Sequence, residues 1–229
     1  MYLLRDFATS RFKNSFLARL CDGTSLVWSA WRVLALRSRA GKCPFSAQMI
    51  LDIVQYGAPI LRQRCRPVDA VDDGVRRLVV DMLETMVHAH GVGLAAPQVG
   101  EDLRLAVIDV SHDPECVSYL RVNGQAAELA SIMPLVFINP ELEYGEEKET
   151  ETEGCLSIQG IRAPVKRPCD VKATLPQLDG SMLVVETDGL LARALQHEID
   201  HLNGVLFVDR LAPVAKVQMK NRLKRLLNE

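Results

Sequence analysis

Long apolar runs are missing from this chain. No stretch of its 229 residues stays apolar over the roughly 18 to 20 positions a membrane-spanning helix needs, which excludes a polytopic membrane protein. One-sided charge is missing too. Lys and Arg number 27 against 29 Asp and Glu, a net charge of −2, so the chain as a whole is not built to coat nucleic acid. Its six cysteines hold no C-x-x-C pair and are irregularly spaced. That is no disulfide scaffold, and it reads as a reduced, intracellular chain. What remains is 48% apolar and 24% charged, an ordinary globular composition.

The charge average hides a split. Residues 1–48 hold eight Lys/Arg and two Asp/Glu, leaving 19 of the 27 bases and 27 of the 29 acids for residues 49–229. The leading segment is therefore basic, and it carries both tryptophans, Trp28 and Trp31. Its apolar patch, Ser25 to Leu36, is interrupted by Arg32 and starts too late for a secretory signal. Residues 1–48 read as an extension outside the folded unit, disordered or upstream of the true start. A targeting peptide for organellar import is the alternative, and a membrane-touching helix a third reading. Met49 opens a well-formed sequence, and no Ser/Gly/Pro-rich linker or internal repeat divides residues 49–229.

Within that unit, Gly74 to His90 places Val75, Leu78, Val79, Met82, Leu83 and Met86 at helical spacing. Leu105 to Val110 reads as a buried strand, and Pro134 to Tyr144 as another. Val171 to Val185 gives two strands around a turn at Asp179-Gly180. Thr187 to Gly204 is a helix with apolar residues on more than one face, which predicts a central position. Val205 to Leu211 is expected to return as a strand, and Ala215 to Leu227 as an amphipathic terminal helix. Ser111 to Met133 is a long polar connection. Glu141 to Glu153 holds seven glutamates and is expected to be a solvated edge strand or loop. This mixed order with hairpins predicts an α+β fold.

Three blocks carry chemistry. In Gln196-His197-Glu198-Ile199-Asp200-His201, the histidines are four apart, so on a helix both imidazoles leave one face and can bind one divalent metal. Glu198 sits beside the first histidine, where a carboxylate can take a proton from water at the metal. No third histidine follows at a metalloprotease spacing. Cys155, in Glu153-Gly154-Cys155-Leu156-Ser157, is the candidate third ligand, because a thiolate suits iron or zinc. The third block is Gly91-Val92-Gly93-Leu94-Ala95-Ala96-Pro97-Gln98. Its glycines allow close backbone approach, and the Gln98 amide could face a developing oxyanion.

Together these blocks resemble peptide deformylase, whose motifs in order are G-x-G-x-A-A-x-Q, E-G-C-x-S and H-E-x-D-H. The likeness spans residues 49 to about 227. It implies an α+β fold with the histidine helix central and strands around it. It implies Fe2+, replaceable by Zn2+, Ni2+ or Co2+, held by Cys155, His197 and His201. It implies removal of the formyl group from N-formylmethionyl nascent peptides, with Glu198 as general acid/base and Gln98 and the Leu156 amide as oxyanion donors. Val92, Leu190 and Ala194 would wall a methionine slot, with the alkyl stem of Arg193 lining it while its charge reaches water. The backbone at Val92 and Gly93 would pair with the peptide as an added strand, Leu94 and Gly154 would belong to the same substrate site, and Arg162 would touch the peptide further along.

The implied setting is the cytoplasm of a bacterial-type cell, with no membrane for the catalytic domain. The basic residues Lys216, Lys220, Arg222, Lys224 and Arg225 of the last helix allow docking on the ribosome. Two rivals remain at this point. One is an HExxH-type zinc peptidase with a third ligand other than cysteine. The other is a structural metal protein that binds ribosome or RNA.

Overall fold

The computed structural model describes residues 49–113 and 116–227. The reading of residues 1–48 lies outside the described residues. Helix α1 (Asp73–His88) starts where the Asp72 carboxylate accepts from the Val75 amide at 2.9 Å. That cap satisfies one of the open donors of the first turn. Its stripe of Val75, Val79, Met82 and Met86 is buried, as the spacing predicts.

The chain then turns into β1 (Gly93–Ala95). This strand pairs antiparallel with β2 (Leu105–Ile108), and β2 pairs with β5 (Leu135–Ile138). Every residue of the three strands is buried, because both faces of this small sheet are covered. A second sheet runs β4 (Gln125–Ala126), β3 (Leu120–Val122), β10 (Met182–Asp188), β9 (Asp170–Pro176), β6 (Glu141–Tyr144). The predicted turn joins β9 to β10: Gly180 has φ +84°, and the Gln177 amide donates to the Ser181 carbonyl at 2.9 Å. A long hairpin forms from β7 (Lys148–Cys155) and β8 (Ile158–Pro168).

Helix α2 (Gly189–Leu202) is central, with 12 of its 14 residues buried. Leu191, Leu195, Ile199 and Leu202 join side chains of the two larger sheets in one apolar cluster. Its start is fixed by Gly189, at φ +56°; a Cβ there would lie 1.9 Å from the Cys116 carbonyl oxygen, so only glycine fits. Helix α3 (Pro213–Leu226) closes the described fold and has no fully buried residue. It lays Ala215, Met219, Leu223 and Leu226 against a second cluster around the β7–β8 hairpin. Helices and antiparallel strands in this order make the α+β architecture that the sequence predicts.

Three expectations need correction. Pro134 to Tyr144 is two strands in different sheets. Asn139 between them takes φ +45°, and its side chain both accepts from the Val68 amide and donates to the Val68 carbonyl, each at 2.9 Å. Val205 to Leu211 is not a strand but contains a 3-10 turn, Phe207–Arg210. The Asp209 carboxylate accepts from the Leu206 amide at 2.8 Å, which closes the chain locally and buries Leu206, Phe207 and Val208 without a partner strand. The connection from 111 to 133 is not merely a loop: β3 and β4 lie in it, and Leu120 pairs with Thr187 of β10.

Candidate active site

Helix α2 carries His197 and His201 one turn apart, with ring centroids 5.0 Å from each other. The pairing of β7 with β8 shifts register between Gly154 and Cys155. A break of that kind re-aims a side chain, and here the Cys155 sulfur stands 3.2 Å from His201 Nε2. One ligand atom each from Cys155, His197 and His201 lie within 4.8 Å of one another. Residues 42 and 46 positions from Cys155 in the chain thus meet it as two nitrogens beside one sulfur.

The orientation of the rings is constrained. Glu153 Oε2 lies 3.1 Å from His197 Nδ1, which leaves Nε2 as that ring's available nitrogen. Phe207, delivered by the 3-10 turn, stacks on the same ring with centroids 6.2 Å apart. Two buried polar atoms have no hydrogen-bond partner among the described residues: Glu198 Oε2 and His201 Nδ1. Buried groups of that kind call for an explanation such as a water or an ion. Two imidazoles and a thiolate, converging beside an unpaired carboxylate oxygen, form a donor set that fits a divalent iron- or zinc-type ion.

Gln98 belongs to the 3-10 turn Ala96–Val99 that follows β1, and it is buried. Its Oε1 accepts from the Ala95 amide at 2.9 Å. This fixes the amide's orientation and turns Nε2 toward Cys155 Sγ at 3.5 Å and Ser157 Oγ at 3.3 Å. Glu198 is packed against β1. A Cβ on Gly93 would stand 2.3 Å from Glu198 Oε1, so the absence of a side chain at 93 makes room for the carboxylate.

Burial pushes the Glu198 carboxyl up to about 7, against the opposing pull of the His197 and Arg167 charges. Burial alone would raise Glu153 as well. Hydrogen bonds from His197 and Arg167 outweigh it and hold that carboxyl well below the usual range. Burial also drives His201 well below an ordinary histidine, and the neighbouring His197 adds to that. A neutral His201 is the form that binds metal.

Glu153 is the main departure from expectation. It belongs to the acidic run expected to be solvated, yet its side chain is fully buried. The other glutamates of that run are exposed, except Glu149, which is part-exposed and meets Arg193. Glu153 survives burial because three groups neutralise and bond it. Arg167 donates through Nε at 2.6 Å and Nη2 at 2.9 Å, Arg193 donates through Nη1 at 2.7 Å, and His197 meets Oε2. Arg193 needs the matching correction. Its charge does not reach water, since the residue is 7% exposed and its guanidinium points inward to Glu153.

Asp200 is also buried, between Arg167 Nη1 at 2.7 Å and Arg210. Sequence reasoning passed over Arg167 and Arg210. The signal was present in the acidic partners, because a carboxylate inside a buried helix or strand needs a cation. Which of the chain's arginines supplies it depends on the hairpin and the 3-10 turn.

A cavity opens beside these groups. It is lined by Gly91, Val92 and Gly93, by Gln98, and by Glu153, Gly154, Cys155 and Leu156. Arg162, Arg193, Ala194, His197 and Glu198 complete the wall. Leu94 and Leu190 do not line it. Leu94 is wholly buried within β1, and Leu190 packs on the apolar cluster around α2.

The chain is similar to known proteins of one family. The family model for polypeptide deformylase matches residues 50–217. The peptide deformylase of Methylacidiphilum infernorum is 47% identical over 178 residues, covering 78% of this chain and 93% of that protein. That of Mesorhizobium japonicum is 43% identical over 172 residues, covering 75% and 89%. Among solved structures, peptide deformylase from Thermotoga maritima superposes with a TM-score of 0.61 at 39% identity, covering 72% of this chain and 99% of that one. The Synechococcus elongatus enzyme in complex with actinonin gives 0.64 at 36% identity, covering 86% and 94%. These likenesses do not favour the zinc-peptidase alternative. The chain belongs to the peptide deformylases, metal-dependent enzymes that remove the N-formyl group from nascent peptides.

Proposed function

We propose that this chain hydrolyses the formamide of N-formylmethionyl peptides in the cavity beside α2, with one divalent ion held by Cys155, His197 and His201. One observation carries the reading: three donor atoms within 4.8 Å of one another, next to a buried carboxylate oxygen of Glu198 that has no partner among the described residues. We assign Fe2+ as the resident ion, with Zn2+, Ni2+ or Co2+ able to replace it. The thiolate supports a metal of this softness, and iron itself rests on the family likeness. When bound, the ion supplies a Lewis acid that polarises the formyl group and makes water nucleophilic at neutral pH.

Glu198 takes the proton of the attacking water and passes it to the leaving amine. Gln98 Nε2 and the Leu156 amide donate to the oxygen as it gains charge. The Ala95 amide holds Gln98 Oε1, so the donor end is aimed before substrate arrives. β1 sits at the edge of its sheet, which supports a peptide pairing as an added strand along Val92, Gly93 and Leu94. Gly154 leaves room for the peptide on the opposite wall. Val92, Ala194 and the stem of Arg193 border the methionine side chain, Leu190 backs them, and Arg162 meets the peptide further along.

Residues 49–229 act as the catalytic domain, with 1–48 an extension to it. The setting is the cytoplasm of a bacterial-type cell, with organellar import through residues 1–48 as the alternative. No helix of the described residues is long and apolar enough to cross a membrane. Ribosome docking through α3 is a further part of the reading. Its apolar side is used against the hairpin cluster, which leaves Lys216, Lys220 and Lys224 for the outer face. Salt-dependent co-sedimentation with ribosomes, lost on truncation after Pro213, is the expected outcome. Co-sedimentation unaffected by that truncation removes the docking role.

The deciding experiment is an anaerobic assay of formate release from a formyl-methionyl tripeptide, with metal analysis of the same sample. Formate release should scale with bound metal. Glu198→Gln should keep the metal and lose nearly all turnover; full activity in that variant overturns the acid/base assignment.

A further inference from the structure

We propose that Arg193 is a positioning residue for His197, acting through Glu153, with Glu149 completing its hold. The inference rests on the reading that Cys155, His197 and His201 bind the metal. Arg193 and His197 are four residues apart on α2 and so leave the same face of the helix. Both reach Glu153 on β7. Arg193 Nη1 lies 2.7 Å from Oε1, and His197 Nδ1 lies 3.1 Å from Oε2. Helix and strand are clamped at two points by one carboxylate. The imidazole cannot turn unless that carboxylate moves.

Arg167 also bonds Glu153, but its Nη1 goes to Asp200 at 2.7 Å. Its guanidinium is therefore shared between two carboxylates, and Arg193 is the second cation on Oε1. Arg193 Nη1 also donates to the Val165 carbonyl (3.2 Å), and Nη2 donates to Glu149 Oε1 (3.3 Å). An arginine serving only as an apolar wall would send its charge to solvent. This one is turned inward, where both terminal nitrogens meet acceptors. Without it, Glu153 Oε1 keeps only the Arg167 Nε bond, and the carboxylate that meets His197 Nδ1 loses its second tie to α2. Groups that orient a metal ligand in this way change metal affinity by about ten- to a hundredfold when removed.

The test uses the full chain and reads the metal dissociation constant by competition with a chelator, with Zn2+ as probe. Thermal melting of the metal-free protein is measured alongside. Arg193→Leu keeps an apolar wall and is expected to weaken metal binding about ten- to a hundredfold. Arg193→Lys, a single-point donor, should recover part of that loss. Glu149→Gln, at a side chain 41% exposed, should weaken binding about two- to fivefold. A merely structural arginine would lower the melting temperature and leave the dissociation constant unchanged, and that result overturns the proposal. If Arg193→Leu does not fold, Glu149→Gln decides, and an unchanged dissociation constant there overturns it. Cys155→Ala, run in parallel, separates the two readings. Metal binding undisturbed by that change overturns the metal site and this inference with it. Binding lost in Cys155→Ala but unaffected in Arg193→Leu overturns the positioning role alone.

Discussion

A single methyl group at position 93 is a sharp test of how the site is built. β1 passes so close to Glu198 that a Cβ on residue 93 would stand 2.3 Å from Oε1, 2.8 Å from Cδ and 3.0 Å from Cγ. Ordinary contact begins near 3.4 Å, so in Gly93→Ala the carboxylate must retreat by about 1 Å. Displacing a catalytic group by that distance costs on the order of a hundredfold in turnover. Gly93 does not have a left-handed φ, so alanine adds no backbone strain and the loss reports positioning. Gly91→Ala is the control. Its Cβ would meet Leu156 Cδ1 at 2.7 Å, the far end of a flexible side chain that can swing aside, and its loss should stay under about tenfold. The assay is formate release per bound metal, with thermal melting to confirm folding. A folded, metal-loaded Gly93→Ala with full turnover would refute the reasoning.

Three further outcomes are expected. Arg167→Met strips Glu153 and Asp200 of a shared cation while both remain buried. Such losses run to about 3–5 kcal/mol, a fall in Tm on the order of 6–20 °C for a domain of this size; a fall under about 2 °C contradicts the account. The Cys65 thiol is 4% exposed, and burial pushes its pKa up to about 11. The folded chain then holds a proton that the unfolded chain releases near pH 9. The stability from this group is complete below about pH 8 and declines as pH rises from about 9 to 11. Chemical denaturation of wild type against Cys65→Ala across that range should show the wild type losing more, and equal slopes would count against it. An iron-loaded sample should lose activity in air through its thiolate while a nickel-loaded one resists; equal survival argues against iron as the resident ion.

Much of this protein could be read without coordinates, for a local reason. Helix α1 announces itself by Val75, Val79, Met82 and Met86, the β9–β10 hairpin by Asp179-Gly180, and the proposed metal-ligand pair by the four-residue step from His197 to His201. Each is a short-range pattern set by backbone geometry, visible within one or two turns of chain. Where sequence reasoning failed, the presence or the lack of a long-range partner had the deciding role. Glu153 looks in sequence like its neighbours Glu149 and Glu151 until Arg167 and Arg193 arrive from β8 and α2. Residues 205–211 have the composition of a strand, but Asp209 bonds the Leu206 amide and no partner strand meets them.

The chain by itself settled which side chains have the chemistry to hold a metal and move a proton. Only the tertiary structure decided how the Cys155 sulfur comes within 3.2 Å of His201 Nε2, what fixes the His197 ring, and why position 93 has no side chain. Ligand type is a property of a residue. The distance and orientation of a ligand belong to pairs of elements far apart in sequence, and packing alone sets them.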